Sequence, residues 1–236
     1  MSAVSSAEIE ELFKKAENFF RQEAAADEKK VYDEILGLCG EAQTPELKKF
    51  AAKALVNKGV VLGRQRSDAE AVACFDRALG LVSGGDDTES RERAAIALVN
   101  RAIIMAQQGK TAEAIIEYDA VVLKFGSAGE PAIQEQVAKA LLQKGFMYTR
   151  KNMLAEERAA YDGLIEKFGG SQEPLLDRYI ANALFSKGLS FGKAMQREPA
   201  NEAYDELLNR YGASEDPEIK DLVGKANFNK GVSYHF

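Results

Sequence analysis

Six copies of one short pattern run along this chain at a constant interval. They read ALVNKG at 54–59, ALVNRA at 97–102, ALLQKG at 140–145, ALFSKG at 183–188, ANFNKG at 226–231 and a blurred ELFKKA at 11–16, each starting 43 residues after the last. A fixed period of about 20–50 residues marks a solenoid, in which each unit buries its apolar face only by stacking on its neighbours. The expectation is therefore one continuous all-α array over residues 1–236, with units 11–53, 54–96, 97–139, 140–182 and 183–225 and a half unit 226–236. Such an array points to binding rather than catalysis.

The residues of one unit say why it is helical. In the unit around 130–172, Glu130-Pro131 opens a helix, because a proline at the first helical position gives up only an N–H that has no intrahelical partner. The same slot holds Pro45, Pro174 and Pro217, with Thr88 as the exception, and the preceding N-cap slot holds Thr44, Asp87, Glu130, Glu173 and Asp216. Side-chain oxygens there accept orphan N–H groups and suit the positive end of the helix dipole. The first helix is expected to run to Arg150 and a second over Leu154–Phe168, with Gly169-Gly170 as its stop. Gly126, Gly212 and Gly84-Gly85 stop the related helices, on the expectation that they take the left-handed conformation.

Gly59, Ala102, Gly145, Gly188 and Gly231 recur inside the first helices, and Tyr32, Phe75, Tyr118, Tyr161 and Tyr204 recur inside the second. A helix-interior glycine costs about 0.5–1 kcal/mol relative to alanine, so its return implies a close helix crossing that the aromatic fills. The spacing resembles the tetratricopeptide repeat. The match runs Leu55, Gly59, Leu62, Ala71, Phe75, Ala78 in one unit, Leu98, Ala102, Met105, Ala114, Tyr118, Val121 in the next, and Leu184, Gly188, Phe191, Ala200, Tyr204, Leu207 further on. The resemblance implies a right-handed superhelix of antiparallel helix pairs, about five and a half repeats long. It departs from the family in its 43-residue unit, similar to the longer units of kinesin light chains, in having no tryptophan, and in a basic residue where leucine is usual: Lys15, Lys58, Arg101, Lys144, Lys187 and Lys230.

That cation ladder has a matching anion ladder directly after each aromatic, at Asp33, Asp76, Asp119, Asp162 and Asp205. Copy-for-copy matching favours ion pairs within a unit or with the next one over a row of cations awaiting an acidic ligand.

In tetratricopeptide arrays the first helices line the concave groove. By that resemblance the groove residues are Lys53, Asn57, Val60 and Arg64; Ile96, Asn100, Ile103 and Gln107; Lys139, Gln143, Phe146 and Arg150; and Asn182, Ser186, Leu189 and Lys193. Amides there suit a peptide backbone and cations suit carboxylates, so the expected partner is a protein or peptide tail with acidic and apolar residues. Some relatives grip the terminal carboxylate of heat-shock chaperones with a Lys/Asn/Arg clamp. Asn57 and Asn100 match one asparagine of it, but Val56 and Val60 stand at its other sites, so chaperone binding is not expected.

Catalytic chemistry has little to work with. His235 is the one histidine, Cys39 and Cys74 lack CxxC spacing, and no glycine-rich phosphate loop occurs; neither a metal, a cofactor nor an enzyme activity is expected. The net charge of −6 disfavours nucleic acid and anionic membranes. The N-terminal stretch has no apolar signal core and no run approaches a membrane span, which suggests a cytoplasmic protein. The last helix carries Leu222, Val223, Phe228, Val232, Tyr234 and Phe236 without a second helix after it. Two alternatives to a peptide scaffold follow: a self-assembling scaffold joined through that helix, and a ligand-responsive regulator.

Overall fold

The computed structural model describes residues 5–40 and 44–233, and the side chains up to residue 231. Eleven α-helices and no strand occur among the described residues: α1 Ser6–Arg21, α2 Ala25–Cys39, α3 Pro45–Arg64, α4 Asp68–Val82, α5 Thr88–Gln107, α6 Thr111–Phe125, α7 Pro131–Arg150, α8 Leu154–Phe168, α9 Pro174–Lys193, α10 Arg197–Tyr211 and α11 Pro217–Ser233. The bounds of α7 and α8 are those expected from the sequence. Long helices start at 45, 88, 131, 174 and 217 and short ones at 25, 68, 111, 154 and 197, so the helices repeat at the 43-residue interval of the sequence. The chain divides into two compact units, Met1–Glu113 and Ala114–Phe236. In the first, α1 to α4 each pack on the following helix and α3 also meets α5; in the second, α7 to α10 do the same, α7 meets α9 and α9 meets α11.

Capping follows side-chain length. Thr44 accepts from the Leu47 N–H at 3.2 Å, Asp87 from Ser90 N–H at 3.3 Å, and Asp216 from Glu218 N–H at 2.9 Å and Ile219 N–H at 3.2 Å. Glu130 and Glu173 make no side-chain cap, contrary to expectation. Their extra methylene carries the carboxylate beyond the first-turn donors that a shorter side chain reaches.

Of the glycine stops, Gly84 takes the expected left-handed conformation, with φ 80°, while Gly126, Gly169 and Gly212 work differently. Gly169 and Gly212 are right-handed, with φ −62° and −59°. What they provide is room, since a Cβ at Gly126, Gly169 or Gly212 would lie 2.4, 2.5 or 2.5 Å from the carbonyl oxygen four residues earlier. A left-handed residue also sits in the turn after each long helix. It is Glu23, Arg66, Gly109, Asn152 and Met195, with φ from 56° to 81°. Around each, the next N–H reaches back five residues (Ser67 to Leu62 O, Met153 to Tyr148 O, Gln196 to Phe191 O), while the left-handed residue's own N–H reaches back three. This is the Schellman closure, and it turns the chain into the antiparallel short helix within three residues.

The core sits between the helices of each pair. Phe75, Tyr118, Tyr161 and Leu164 are fully buried, and burying a side chain of this size contributes about 1.5–3 kcal/mol. The glycine crossing is as expected at three copies: a Cβ would lie 2.7 Å from the Phe75 ring at Gly59, 2.2 Å from the Tyr161 ring at Gly145, and 2.4 Å from the Tyr204 ring at Gly188. Gly231 meets nothing within 4 Å, because α11 packs on no following short helix among the described residues. On α11, Leu222 is buried, Val223 half-buried and Phe228 exposed; Tyr234, His235 and Phe236, and the side chain of Val232, lie outside the described residues.

Candidate peptide-binding groove

Two sets of side-chain contacts fix the long helices against the short helix before them. Five of the six cations pair with the anion ladder, Lys15 having no aspartate before it: Lys58 with Asp33, Arg101 with Asp76 at 2.5 Å, Lys144 with Asp119 at 2.5 Å, Lys187 with Asp162 at 2.6 Å, and Lys230 with Asp205. Each pair joins a short helix to the following long one. The cations lie along the helix by their stems and are mostly covered, while the carboxylates are about half exposed, so each pair adds no more than about 0.2–1 kcal/mol.

The second set runs one residue before the first. The Tyr204 hydroxyl accepts from the Asn229 amide at 3.1 Å. Tyr32 is bonded by Asn57 and Tyr161 by Ser186 in the same way; burial raises both phenol pKa values and these hydrogen bonds oppose the rise. One groove amide, Asn57, and one groove hydroxyl, Ser186, are thus turned to the core. Phe75 stands where the others have tyrosine, and there the Asn100 amide donates instead to Ile96 O of its own helix at 2.8 Å.

In the first unit, α3 presents Lys53, Asn57, Val60 and Arg64 along one face, and α5 presents Asn100, Ile103 and Gln107. Three adjoining cavities lie there. One of about 770 Å³ is lined by Phe13, Glu17, Phe50 and Lys53 with charged neighbours. A second, of about 340 Å³, is lined by Phe13, Glu17, Phe20, Glu28, Tyr32, Lys53, Asn57, Val60 and Arg64. A third, of about 210 Å³, takes Val60 and Arg64 together with Gly59, Gly63, Asn100, Ile103 and Gln107. Shared lining residues make them one groove. Arg64 is not a free cation: its guanidinium donates to the buried Glu28 carboxylate at 2.6 Å and covers the Phe20 ring at 5.0 Å. Tyr32 donates to the other Glu28 oxygen at 3.3 Å.

In the second unit the same faces are fuller. Phe146 meets Tyr161 edge-on at 6.3 Å, Gln143 and Ser186 are half-buried, and Arg150 and Lys193 are exposed. Burial lowers the Lys139 pKa against the opposing charge of Glu135. Leu189 lines a cavity of about 450 Å³ with Phe185 and Phe228, and Asn182 one of about 460 Å³ with Glu135, Arg178 and Tyr179. Sequence reasoning missed Phe13, Phe20, Glu28 and Tyr32 as groove residues. The first copy of the motif is blurred, and α1 and α2 contribute their side chains across the helix pair rather than at the repeating groove slots.

A sequence model of the tetratricopeptide repeat matches residues 182–214, the second half of α9 and all of α10. The matched segment is one tetratricopeptide repeat, and the same long-helix and short-helix pair recurs at the 43-residue interval through the chain. Its fold is similar to that of BtubC (BKLC) from P. vanneervenii, with a TM-score of 0.71 at 15% identity over 94% of this chain and 82% of that one. A tetratricopeptide repeat protein from Parabacteroides merdae ATCC 43184 superposes with a TM-score of 0.57 at 17% identity, covering 95% of this chain and 75% of that one. MamA from Desulfovibrio magneticus RS-1 gives 0.58 at 13% identity, covering 88% and 97%. No curated protein matches the chain by sequence. Among the described residues, no cluster of His, Cys, Asp and Glu is suited to a metal ion, and no helix is long and apolar enough to cross a membrane. Cys39 and Cys74 are free and buried, and burial raises both thiol pKa values.

Proposed function

We propose that this chain is a protein-interaction scaffold that binds an extended peptide or tail in the groove of its first unit. The three adjoining cavities along α1, α3 and α5 carry this reading. The two smaller ones combine apolar walls with a few polar groups, the usual make-up of a binding cleft, and the largest is lined mainly by charged side chains. The superfamily's use of its long helices as a binding face supports it. The test is a pair of substitutions: Ile103→Glu in the groove and Leu123→Glu on α6, where Leu123 is 90% exposed. A partner that co-purifies with the wild-type chain is expected to be lost with Ile103→Glu and kept with Leu123→Glu. Equal retention by both would exclude the groove.

Self-association has one observation in its favour, the 71% exposure of Phe228 on α11 beside the cavity lined by Phe185 and Leu189. Light scattering of the wild type and Phe228→Asp decides it. A mass that falls with the substitution supports it, and a wild-type monomer at every concentration removes it.

A further inference from the structure

Taking the groove of the first unit as a peptide site, we infer that the cavity between α1, α2 and α3 receives one large apolar side chain of the peptide, while Lys53 holds an Asp or Glu side chain next to it. The walls of that cavity are Phe13, Phe20, Tyr32 and Val60, and its volume of about 340 Å³ falls within the range of small-ligand pockets, about 300–1,000 Å³.

Charge selects the neighbour. Of the four charged groups lining the cavity, Glu17 pairs with Arg21 at 2.7 Å and Glu28 with Arg64 at 2.6 Å. Lys53 has no carboxylate partner among the described residues; its ammonium rests over the Phe13 ring, 4.3 Å from the centroid. Two carboxylates and two cations line the cavity, and Lys53 is the one of the four whose charge is not taken up by an ion pair; Glu10, Glu46 and Glu89 share the adjoining cavity with it. A cation over an aromatic ring gains about 0.5–1 kcal/mol where it is exposed. A charge-assisted hydrogen bond to a carboxylate adds to that and leaves the ring contact in place. A basic residue at the same point would bring a second cation against the first.

The second unit shows what closes such a space. The slot of Glu17 holds Phe146 three repeats later, and that ring stands edge-on to Tyr161 at 6.3 Å. With glutamate at position 17, turned to Arg21, the first unit leaves the room open.

The probe is a labelled peptide, N-acetylated and C-amidated, of sequence Ser-Asp-Asp-Phe-Asp-Ser-Gly, titrated with the full chain by fluorescence anisotropy. It is expected to bind about tenfold or more tighter than the peptide with Ala for Phe, and than the peptide with Lys for every Asp. In Lys53→Gln the preference for Asp over Lys is expected to fall to within about twofold, and in Val60→Trp, which fills the cavity, the preference for Phe over Ala is expected to vanish. The peptide comparisons use the wild-type chain, so they stand even if a variant misfolds. Equal binding of the basic peptide, equal binding of the alanine peptide, no binding of the acidic peptide at millimolar concentration, or binding only when the terminal carboxylate is free would each overturn the assignment. Partner loss with Ile103→Glu alongside any of these outcomes leaves the groove standing and removes only the side-chain assignment.

Discussion

Gly145 of α7 lies so close to Tyr161 of α8 that a methyl group on it would sit 2.2 Å from the ring carbon Cε1. In an open helix, Gly→Ala stabilises by about 0.5–1 kcal/mol. Here the ring is fully buried and cannot retreat, and overpacking of a dense core costs about 1–3 kcal/mol. Gly145→Ala is therefore expected to lower stability by about 1–2 kcal/mol in a denaturant titration. Gly224→Ala on α11, where nothing lies within 4 Å, is expected to raise it.

Met195 occupies a left-handed turn position with φ 57° while its side chain is 90% exposed. A non-glycine residue pays about 1–2 kcal/mol for that conformation, and glycine's greater unfolded entropy returns only part of it. Met195→Gly is expected to raise Tm, with a gain of up to about 1 kcal/mol. Gly109→Ala, at the same slot with φ 81°, is expected to lower it.

Glu28 and Glu157 hold the same slot three repeats apart, and both are buried, at 4% and 2% exposure. Glu28 is satisfied by Arg64 and Tyr32, whereas Oε2 of Glu157 has no partner among the described residues. Removing the partner of a buried polar group costs about 1–3 kcal/mol, and an acceptor already unmatched carries that penalty in the wild type. Glu28→Ala is expected to destabilise by that amount. Glu157→Ala is expected to be neutral or stabilising, and Ala71, Ala114 and Ala200 fill the slot elsewhere. Paired thermal melts read the contrast.

Much of this architecture is visible in the chain before folding. Prolines at 45, 131, 174 and 217 start helices because their effect is local, and the ladder of Lys or Arg with Asp is visible because both partners repeat. The Schellman turns are not, since Glu23, Arg66 and Met195 are poor left-handed residues placed there by tertiary packing on both flanks. The partners of the groove residues are not visible either. Asn57 and Arg64 read as ligand-facing groups on their own helix, yet their partners Tyr32 and Glu28 come from the helix pair before, which no single-helix pattern displays.

Asp87 caps α5 and also accepts from Lys49 at 2.8 Å; the hydrogen bond from Lys49, then that from Ser90, lower its pKa from 3.8 to about 2. Because the folded value lies below the unfolded one, the stabilisation is complete above about pH 4 and fades as pH falls toward 2. Asp87→Asn keeps a capping oxygen, worth about 0.5–2 kcal/mol, and loses the charge. The stability difference between wild type and Asp87→Asn is expected at neutral pH and to close near pH 2 in urea titrations across that range.

Phe75 is the one ring of its series without a hydroxyl, and Asn100 stands where Asn57 and Asn229 bond theirs. Phe75→Tyr is expected to change stability by less than about 1 kcal/mol, because the new hydroxyl gains Asn100 in place of an unsatisfied burial. A loss of 3 kcal/mol or more by calorimetry would show that Asn100 cannot turn from Ile96.

The ion pairs of the ladder each join residues 25 apart in sequence. Stitching of this kind is short-range throughout, and chains with low contact order fold fast and from many starting points. Pulled from its ends, such a chain is expected to give way as a staircase of small steps, one helix pair at a time, rather than in a single rupture.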